Sequence, residues 1–517
     1  MPEKVLKKLN IYILPAWKAC FIAAVLAGLL AHSYKICSWL PNWDSLVFRY
    51  DAQNMISLGR WFLPVVCSFS SFYDLPFLSG IITIFFHALG SVLICRILSV
   101  ERKITAGLIG AVIVTFPTVT SVLMYNYVAD GYAIAFFLSV LSALFIVKEK
   151  PNYLISALLI TLSCGIYQAY ITVTIMLLLI WLIERVVFHK AAFMDILKKS
   201  SLMLVTGISG VALYAIILKI ILAANSAKLL DYQGASEAAS FSGFDFYSSL
   251  YTIKETFIGC FFDLSEGLNV FIVLNVFVLL FTAVYYLLSF IKNKLYKNPA
   301  NILMIAVLCV LLLFGAAALA FINPGVDYHN LMLMGYSVFY LFFLLIYEKS
   351  MEKDQKNRAV KCWIVLIASL IIIANQIVIA NVSYHKAQIA YEKSYGVLLR
   401  IADRIEETPK SDECDRILVI GALDDSHAYS VNLTPDITGI TDGYIIRADD
   451  ETVGQSVLCS ALNDYCGKNY SFISGDEKKA FIAKDEVKSM NLWPKDNCIK
   501  VINDAIVIKL GMEDENS

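Results

Sequence analysis

Residues 15–61 read PAWKACFIAAVLAGLLAHSYKICSWLPNWDSLVFRYDAQNMISLGRW, an apolar run followed at once by a segment that carries two acids, two arginines and two tryptophans. An α-helix rises about 1.5 Å per residue, so roughly 20 apolar residues cross a hydrocarbon core of about 30 Å. Residues 15–36 meet that length. The run is too long for the core of a secretory signal, and SYKICSWLPNW follows it in place of a small-residue cleavage pattern, so it is expected to stay as an anchor. The charged segment then lies beside the bilayer. Leu46, Val47, Tyr50, Met55, Leu58 and Phe62 recur near helical spacing. That pattern predicts an interfacial amphipathic helix over 43–62, with its tryptophans at headgroup level and Asp44, Asp51 and Arg60 facing a cavity.

The same length test applied outward finds ten further windows: 75–98, 104–124, 128–147, 153–168, 170–188, 201–223, 268–291, 301–322, 330–347 and 361–382. The fifth of the eleven, 153–168, is short and joins the next through CGIYQAY, as a tight hairpin or as one broken helix. The chain of 517 residues is 58% hydrophobic and 16% charged, with a mean hydropathy of +0.67, values far from ordinary soluble usage. The fold class is therefore a polytopic α-helical membrane protein with about eleven transmembrane helices. A net charge of −1 supplies no basic field for nucleic acid. Lys and Arg gather in every second loop: Lys4, Lys7 and Lys8; Arg102 and Lys103; Lys148 and Lys150; Arg185, Lys198 and Lys199; Lys292 to Lys297; Lys349 to Lys361. The positive-inside rule then places the N-terminus in the cytoplasm, and eleven spans place the C-terminus outside.

Past residue 384 the composition becomes that of a water-soluble domain. Residues 1–384 are thus expected to form the membrane domain and 385–517 a small extracytoplasmic α/β domain. Val397, Ile401 and Ile405 share one face of a helix, RILVIGAL reads as a strand, and CIKVINDAIVIKL reads as two strands around an Asn-Asp turn. Four cysteines, Cys414, Cys459, Cys466 and Cys498, fall in this part. They are either disulfide-bonded, with Cys459 and Cys466 the first pair to consider, or buried thiols.

Several polar residues share the outer membrane face with the opening segment: Asp130; Tyr167 and Gln168; Glu255, Asp263 and Glu266; Asp327, Tyr328 and His329. Each alone reads as a solvated loop residue. Together they point to a site open to the outer leaflet, because ionisable groups near membrane depth are costly and mark substrate paths. No spacing of Cys, His or acids forms a metal motif, so neither a metal nor another cofactor is expected.

NWDSL, SLGRWFLPV, DLPFLSG, GIYQAY and the tail NLWPKDNCIKVINDAIVIKL, in this order on one topology, resemble the bacterial polytopic glucosyltransferase family that includes the phage-type O-antigen glucosyltransferases. The likeness is strongest through the first 190 residues and in the tail. It implies a GT-C-class transferase of the bacterial plasma membrane that takes a single hexose, glucose by family, from a polyprenyl-phosphate carrier and attaches it to a cell-envelope glycan at the outer face. It also implies an essential acid in the first external loop, matched here by Asp44. The tandem acids of many members appear here as Asp44-Ser45, which leaves open whether Asp51 shares the role.

The residue chemistry suits that expectation. A carboxylate in hydrogen-bond reach of a sugar hydroxyl can serve as general base, the part given to Asp44. A departing phosphate gains charge as the glycosidic bond breaks, and a guanidinium fork matches its oxygens, so Arg60 and then Arg49 are the candidates to hold it. Asp130, Tyr167, Gln168 and His329 complete the expected substrate-binding set. A direct displacement of this kind inverts the anomeric centre. Two other functions compete: a lipid-linked oligosaccharide flippase, which the lack of an internal repeat disfavours, and an envelope-polysaccharide polymerase, whose large external loop would be 224–267, a segment poor in basic residues. The C-terminal domain is expected to bind or orient the acceptor, and its GALDDSHAY segment reads as a surface turn.

Overall fold

The computed structural model describes residues 14–41, 43–47, 52–70, 74–230, 245–262, 270–322, 328–352, 357–423 and 451–512. In chain order its helices are α1 (Pro15–Cys37), α2 (Trp43–Val47), α3 (Ala52–Ser57), α4 (Leu63–Cys67), α5 (Pro76–Ile97), α6 (Lys103–Thr115), α7 (Pro117–Met124), α8 (Asn126–Val147), α9 (Tyr153–Ile166), α10 (Ile171–Val187) and α11 (Phe193–Ala224). There follow α12 (Phe246–Phe262), α13 (Val270–Lys292), α14 (Pro299–Ala316), α15 (Ala318–Ile322), α16 (Val338–Glu352) and α17 (Arg358–Glu407). Among the described residues, nine helical stretches are long and apolar enough to cross a membrane: Pro15–Cys37, Pro76–Ile97, Lys103–Met124, Asn126–Val147, Gln168–Val187, Phe193–Ala224, Val270–Lys292, Pro299–Ala316 and Arg358–Glu407. Two of the eleven expected windows fall short of that length. Residues 153–168 give the 14-residue α9, and 330–347 give two 3₁₀ turns followed by the 15-residue α16.

The membrane part is built on small residues. α1 begins with Pro15 in its first turn, where a missing amide hydrogen loses nothing. It buries Ala16, Cys20, Ala24, Ala27, Gly28 and Ala31 in one stripe, against α6. A Cβ at Gly110 of α6 would lie 2.4 Å from the Cys20 carbonyl oxygen, so the two backbones touch directly. Dispersion between closely packed backbones is what holds helices together where lipid is as apolar as leucine. The opposite face of α1 leaves Leu26 58% and Leu30 67% exposed, as a lipid-facing surface does. At the other end of α6, the Glu348 carboxylate accepts from the amides of Glu101 (2.9 Å) and Arg102 (3.2 Å), while Glu184 pairs with Lys349 at 3.6 Å. The buried Glu184 carboxylate is thereby matched by an opposite charge rather than isolated.

The helix expected over 43–62 does not run to residue 62. α3 stops in a Schellman cap, with the Gly59 amide bonded to the Ile56 carbonyl and the Arg60 amide to that of Met55, both at 2.9 Å. Gly59 takes φ +80° there, a conformation that favours glycine and ends the helix whatever the apolar period predicts.

The expected last span and the amphipathic helix after it are one element, the 50-residue α17, so residues 384 and 385 lie inside a continuous helix. Beyond it come β1 (Arg416–Ile420), α18 (Glu451–Cys466), β2 (Ser471–Phe472), α19 (Gly475–Ile482), α20 (Asp485–Lys488), β3 (Ile499–Ile502) and β4 (Ala505–Lys509). The sheet order is β2-β1-β4-β3, with β1 parallel to both neighbours and β3 antiparallel to β4. Asn503 and Asp504, at φ 48° and 59°, make the two-residue hairpin between Ile502 and Ala505. β1 alternates its side chains between two cores: Ile417 and Val419 face one, with α17 and α18, and Leu418 and Ile420 face the other, with Phe481 and Val487. All twelve cysteines lie among the described residues and are free thiols. Cys459 and Cys466 sit on the same helix α18, about 10 Å apart along its axis at 1.5 Å per residue, beyond the reach of a disulfide. Burial pushes the Cys459 thiol up to about 11, so it is inert.

The backbone contact at Gly110 carries a prediction. Gly110→Val should destabilise the protein by roughly 1–3 kcal/mol, the usual range for overpacking, and lower its thermal midpoint in detergent. Gly207→Ala on α11, where nothing lies within 4 Å of the added Cβ, should leave it equal or slightly higher. Equal midpoints for the two variants would contradict the close packing of α1 on α6.

Candidate active site

The segment between α1 and α5 owes its shape to the turn that ends α3. A Cβ at Gly59 would lie 2.7 Å from the Tyr214 hydroxyl and 2.8 Å from Gln168 Nε2, so the bare turn is gripped from outside. Gln168 Nε2 donates to the Tyr214 hydroxyl at 2.7 Å, and that hydroxyl donates to the Gly59 carbonyl at 3.1 Å. On the other side the Phe62 amide donates to the Gly165 carbonyl at 2.7 Å, and Trp61 covers Gly165 so closely that a Cβ there would lie 2.7 Å from its ring. Gln168, expected to read a sugar, therefore spends its amide nitrogen on tying the turn to α11.

Held from both sides, Arg60 points across the start of α8. Its Nη1 donates to the Tyr132 hydroxyl at 3.1 Å, and its guanidinium carbon lies 5.0 Å above the Tyr167 ring. Tyr132 and Tyr167 stack at 4.6 Å and 22°. The stack exists because α9 ends at Ile166 and Tyr167 is extended, φ −157° and ψ 118°, before the 3₁₀ turn Gln168–Tyr170 leads into α10. The CGIYQAY junction is thus a break that supplies an aromatic floor for a cation.

Asp44 lies on α2 and acts electrostatically on α8. The hydroxyl of Tyr127, buried on the first turn of α8, feels the charges of Asp44, Arg60 and Asp74 together with the Tyr132 hydroxyl. Arg60 thus bonds one tyrosine hydroxyl of α8, that of Tyr132, while Tyr127 on the same helix is acted on electrostatically by Asp44, Asp74 and Arg60. Asp74 was not among the expected site residues. It precedes Pro76 in DLPFLSG, and the available signal was an acid at the end of a span.

Lys35 is the second residue that sequence reasoning missed. It lies inside the first apolar window and is fully buried, with its ammonium donating to the Leu40 carbonyl. With the Asn126 amide turned so that its nitrogen donates to the Leu123 carbonyl (2.8 Å), the Asn126 oxygen accepts from Lys35 at 3.3 Å. A buried cation thereby fastens the outer end of α1 to the residue before Tyr127.

The other expected residues take different places. Asp130 is fully buried; its Oδ1 accepts from the Gly131 amide at 2.9 Å and from the Cys67 thiol at 3.7 Å. It joins α4 to α8 beneath the loop. His329 caps the 3₁₀ turn Asn330–Met332 through its Nδ1, which also meets the Ser121 hydroxyl of α7 at 3.3 Å. Glu255 pairs with its neighbour Lys254 at 3.0 Å on an exposed face, a contact of little energetic weight. Arg49, Asp51, Asp263, Glu266 and Asp327 lie outside the described residues. Among the described residues no group of three or more His, Cys, Asp or Glu side chains is placed to hold a metal ion.

The clamp can be tested on its own. Tyr214→Phe removes the bond to Gly59 and the acceptor of Gln168 while keeping the ring. Amide hydrogen exchange over residues 59–62 should then quicken by roughly two- to tenfold, the equivalent of ~0.5–1.5 kcal/mol for one hydrogen bond. Unchanged exchange there would show that the relay does not hold the turn.

A family model described as glucosyl transferase GtrII matches residues 36–342. The matched stretch opens at the end of α1 and contains Asp44, the Arg60 turn, Asp74, Tyr127, Tyr132 and the Tyr167 break; it closes in α16, ahead of the sheet. No curated protein and no solved structure matches the chain. With more than half of its 517 residues covered, and the loop that gathers its charges inside the match, the chain belongs to the GtrII glucosyl transferase family and is a membrane-type glycosyltransferase.

Proposed function

We propose that this glycosyltransferase moves a single glucose from a polyprenyl-phosphate carrier to a cell-envelope glycan at the outer face of the bacterial plasma membrane. The observation that supports the proposal is that Asp44 and Arg60, of opposite charge, both act electrostatically on the buried Tyr127, while Arg60 is held by Tyr132 and the Tyr167 ring. The charged loop belongs to the outer face if the N-terminus is cytoplasmic. A lipid-linked donor fits that side, because nucleotide sugars are confined to the cytoplasm.

In this mechanism Asp44 takes the proton of the acceptor hydroxyl as its oxygen attacks the anomeric carbon. The bond from that carbon to the phosphate oxygen breaks as the new one forms, so the centre inverts and no covalent enzyme intermediate is needed. The polyprenyl phosphate leaves with an additional negative charge. Arg60 lies at hand for that charge, and its fixed position over Tyr167 means that little reorganisation is required when the charge develops. The phosphate monoester is thus met by a guanidinium fork in the absence of any required metal. Asp74, which like Asp44 acts electrostatically on Tyr127, is a further carboxylate available to a sugar hydroxyl. Asp130 and Gln168 act through α4 and the Gly59 turn, Asp51 is the second candidate for the catalytic acid, and Arg49 and His329 complete the proposed substrate set. Residues 1–384 form the catalytic membrane domain in this scheme and 385–517 an extracytoplasmic domain.

The test is the side-chain sugar content of the envelope polysaccharide, by mass spectrometry, in cells lacking the protein and supplied with wild type or Asp44→Asn at equal membrane abundance. Wild type should restore the side-chain hexose, and Asp44→Asn should lower its incorporation rate by about 10²–10⁴-fold, the range lost with a general base. Full restoration by Asp44→Asn would remove the base assignment. Loss or shortening of the whole polymer on deletion would favour a polymerase or flippase instead.

A further inference from the structure

The Asp44 helix is seated on the C-terminal region rather than on the membrane bundle. Leu46, two residues after Asp44, is 7% exposed and belongs to the apolar core formed by Leu398 and Ile401 of α17, Leu458 and Leu462 of α18, and Ile417 of β1. α2 and α18 pack against each other. Just before the helix, Trp39 stacks on Tyr465 of α18 at 5.4 Å and 26°, and Tyr465 meets Tyr395 of α17 edge-on at 6.0 Å. Leu40 enters a second cluster with Tyr384 and Ala387 of α17, and Tyr384 bonds His32 of α1 at 2.8 Å.

α2 has five residues. A helix of that length has no stability of its own, because nucleation costs more than so few hydrogen bonds return. Its position is therefore set by what it packs against, here α17 and α18. α17 in turn is one continuous helix from the apolar window to the sheet, so the seat of α2 is joined rigidly to the bundle that carries Arg60, Tyr132 and Tyr167. Nothing in the family match assigns this role, since the match ends at residue 342.

We propose that the C-terminal region is a positioning element for Asp44: by burying Leu46 and stacking Tyr465 on Trp39, it fixes the carboxylate of α2 opposite Arg60. The proposal rests on Asp44 as the base. It separates the region's role from acceptor binding, because an acceptor-binding region would govern acceptor affinity, whereas a positioning element governs turnover with any acceptor, water included.

The experiment uses the full chain in nanodiscs with synthetic polyprenyl-phosphate glucose and unmodified envelope polysaccharide. Leu46→Ala and Leu458→Ala should each lower kcat about 10- to 100-fold, for transfer and for donor hydrolysis alike, with donor Kd and acceptor KM within about twofold of wild type. Leu46→Met, which keeps the volume, should return kcat to within about threefold. Amide exchange of residues 43–47 should quicken in both alanine variants, a readout that needs no substrate and decides the proposal even if wild type transfers no sugar, an outcome that would instead overturn the donor assignment. If Leu458→Ala fails to accumulate, Trp39→Ala removes only the stack at the rim and should show the same pattern. A raised acceptor KM at unchanged kcat, or unchanged exchange at 43–47 in Leu46→Ala, would overturn it.

Discussion

The hydrogen bond from the Phe62 amide to the Gly165 carbonyl, 2.7 Å long, joins the loop between α1 and α5 to the point where α9 breaks, and the candidate site depends on that junction. With the Gly59 cap on one side and the bare Gly165 under Trp61 on the other, the chain has room for one path. That path delivers Arg60 onto the Tyr132–Tyr167 stack. A guanidinium near lipid must be held by aromatic faces and hydroxyls or it will move to water. Here both are supplied by residues whose own backbones are fixed by the end of one helix and the start of another.

This placement explains why a greasy chain keeps a charged loop. Charges out of water interact more strongly than in it, and under the proposed mechanism a carboxylate and a guanidinium there favour a transition state in which negative charge moves from one to the other. The cost of desolvating Arg60 is offset by the Tyr132 hydroxyl and the Tyr167 ring that hold it. Lys35, buried beneath, fixes the α1 end of the loop without entering it.

Much of this was legible in the sequence, and the exceptions have physical causes. Hydropathy found the apolar helices because the bilayer imposes a length, and acids beside arginines marked Asp44 and Arg60 because such groups are rare next to spans. Periodicity overran the break at Gly59, since one glycine leaves the apolar spacing of 46–62 intact while a cap stops the helix. Asp74, Lys35 and Tyr132 gained their meaning only from neighbours far along the chain. The burial of Leu46 among Leu398, Leu458 and Ile417 is a contact across most of the sequence, invisible to any local pattern. Residue 384 looked like a boundary because polarity changes there, yet the backbone of α17 runs through it, and that continuity is what lets the C-terminal region bear on the outer loop.

The central claim is that Asp44 and Arg60 serve one site with divided tasks, and donor affinity measured beside turnover tests it most directly. The protein is purified in nanodiscs, and Kd for polyprenyl-phosphate glucose and kcat are taken for wild type, Asp44→Asn and Arg60→Gln. The account predicts that Asp44→Asn keeps Kd within about threefold while kcat falls by about 10²–10⁴, and that Arg60→Gln weakens Kd and lowers kcat together. Wild-type turnover in Asp44→Asn, or unaltered donor affinity and turnover in Arg60→Gln, would contradict it.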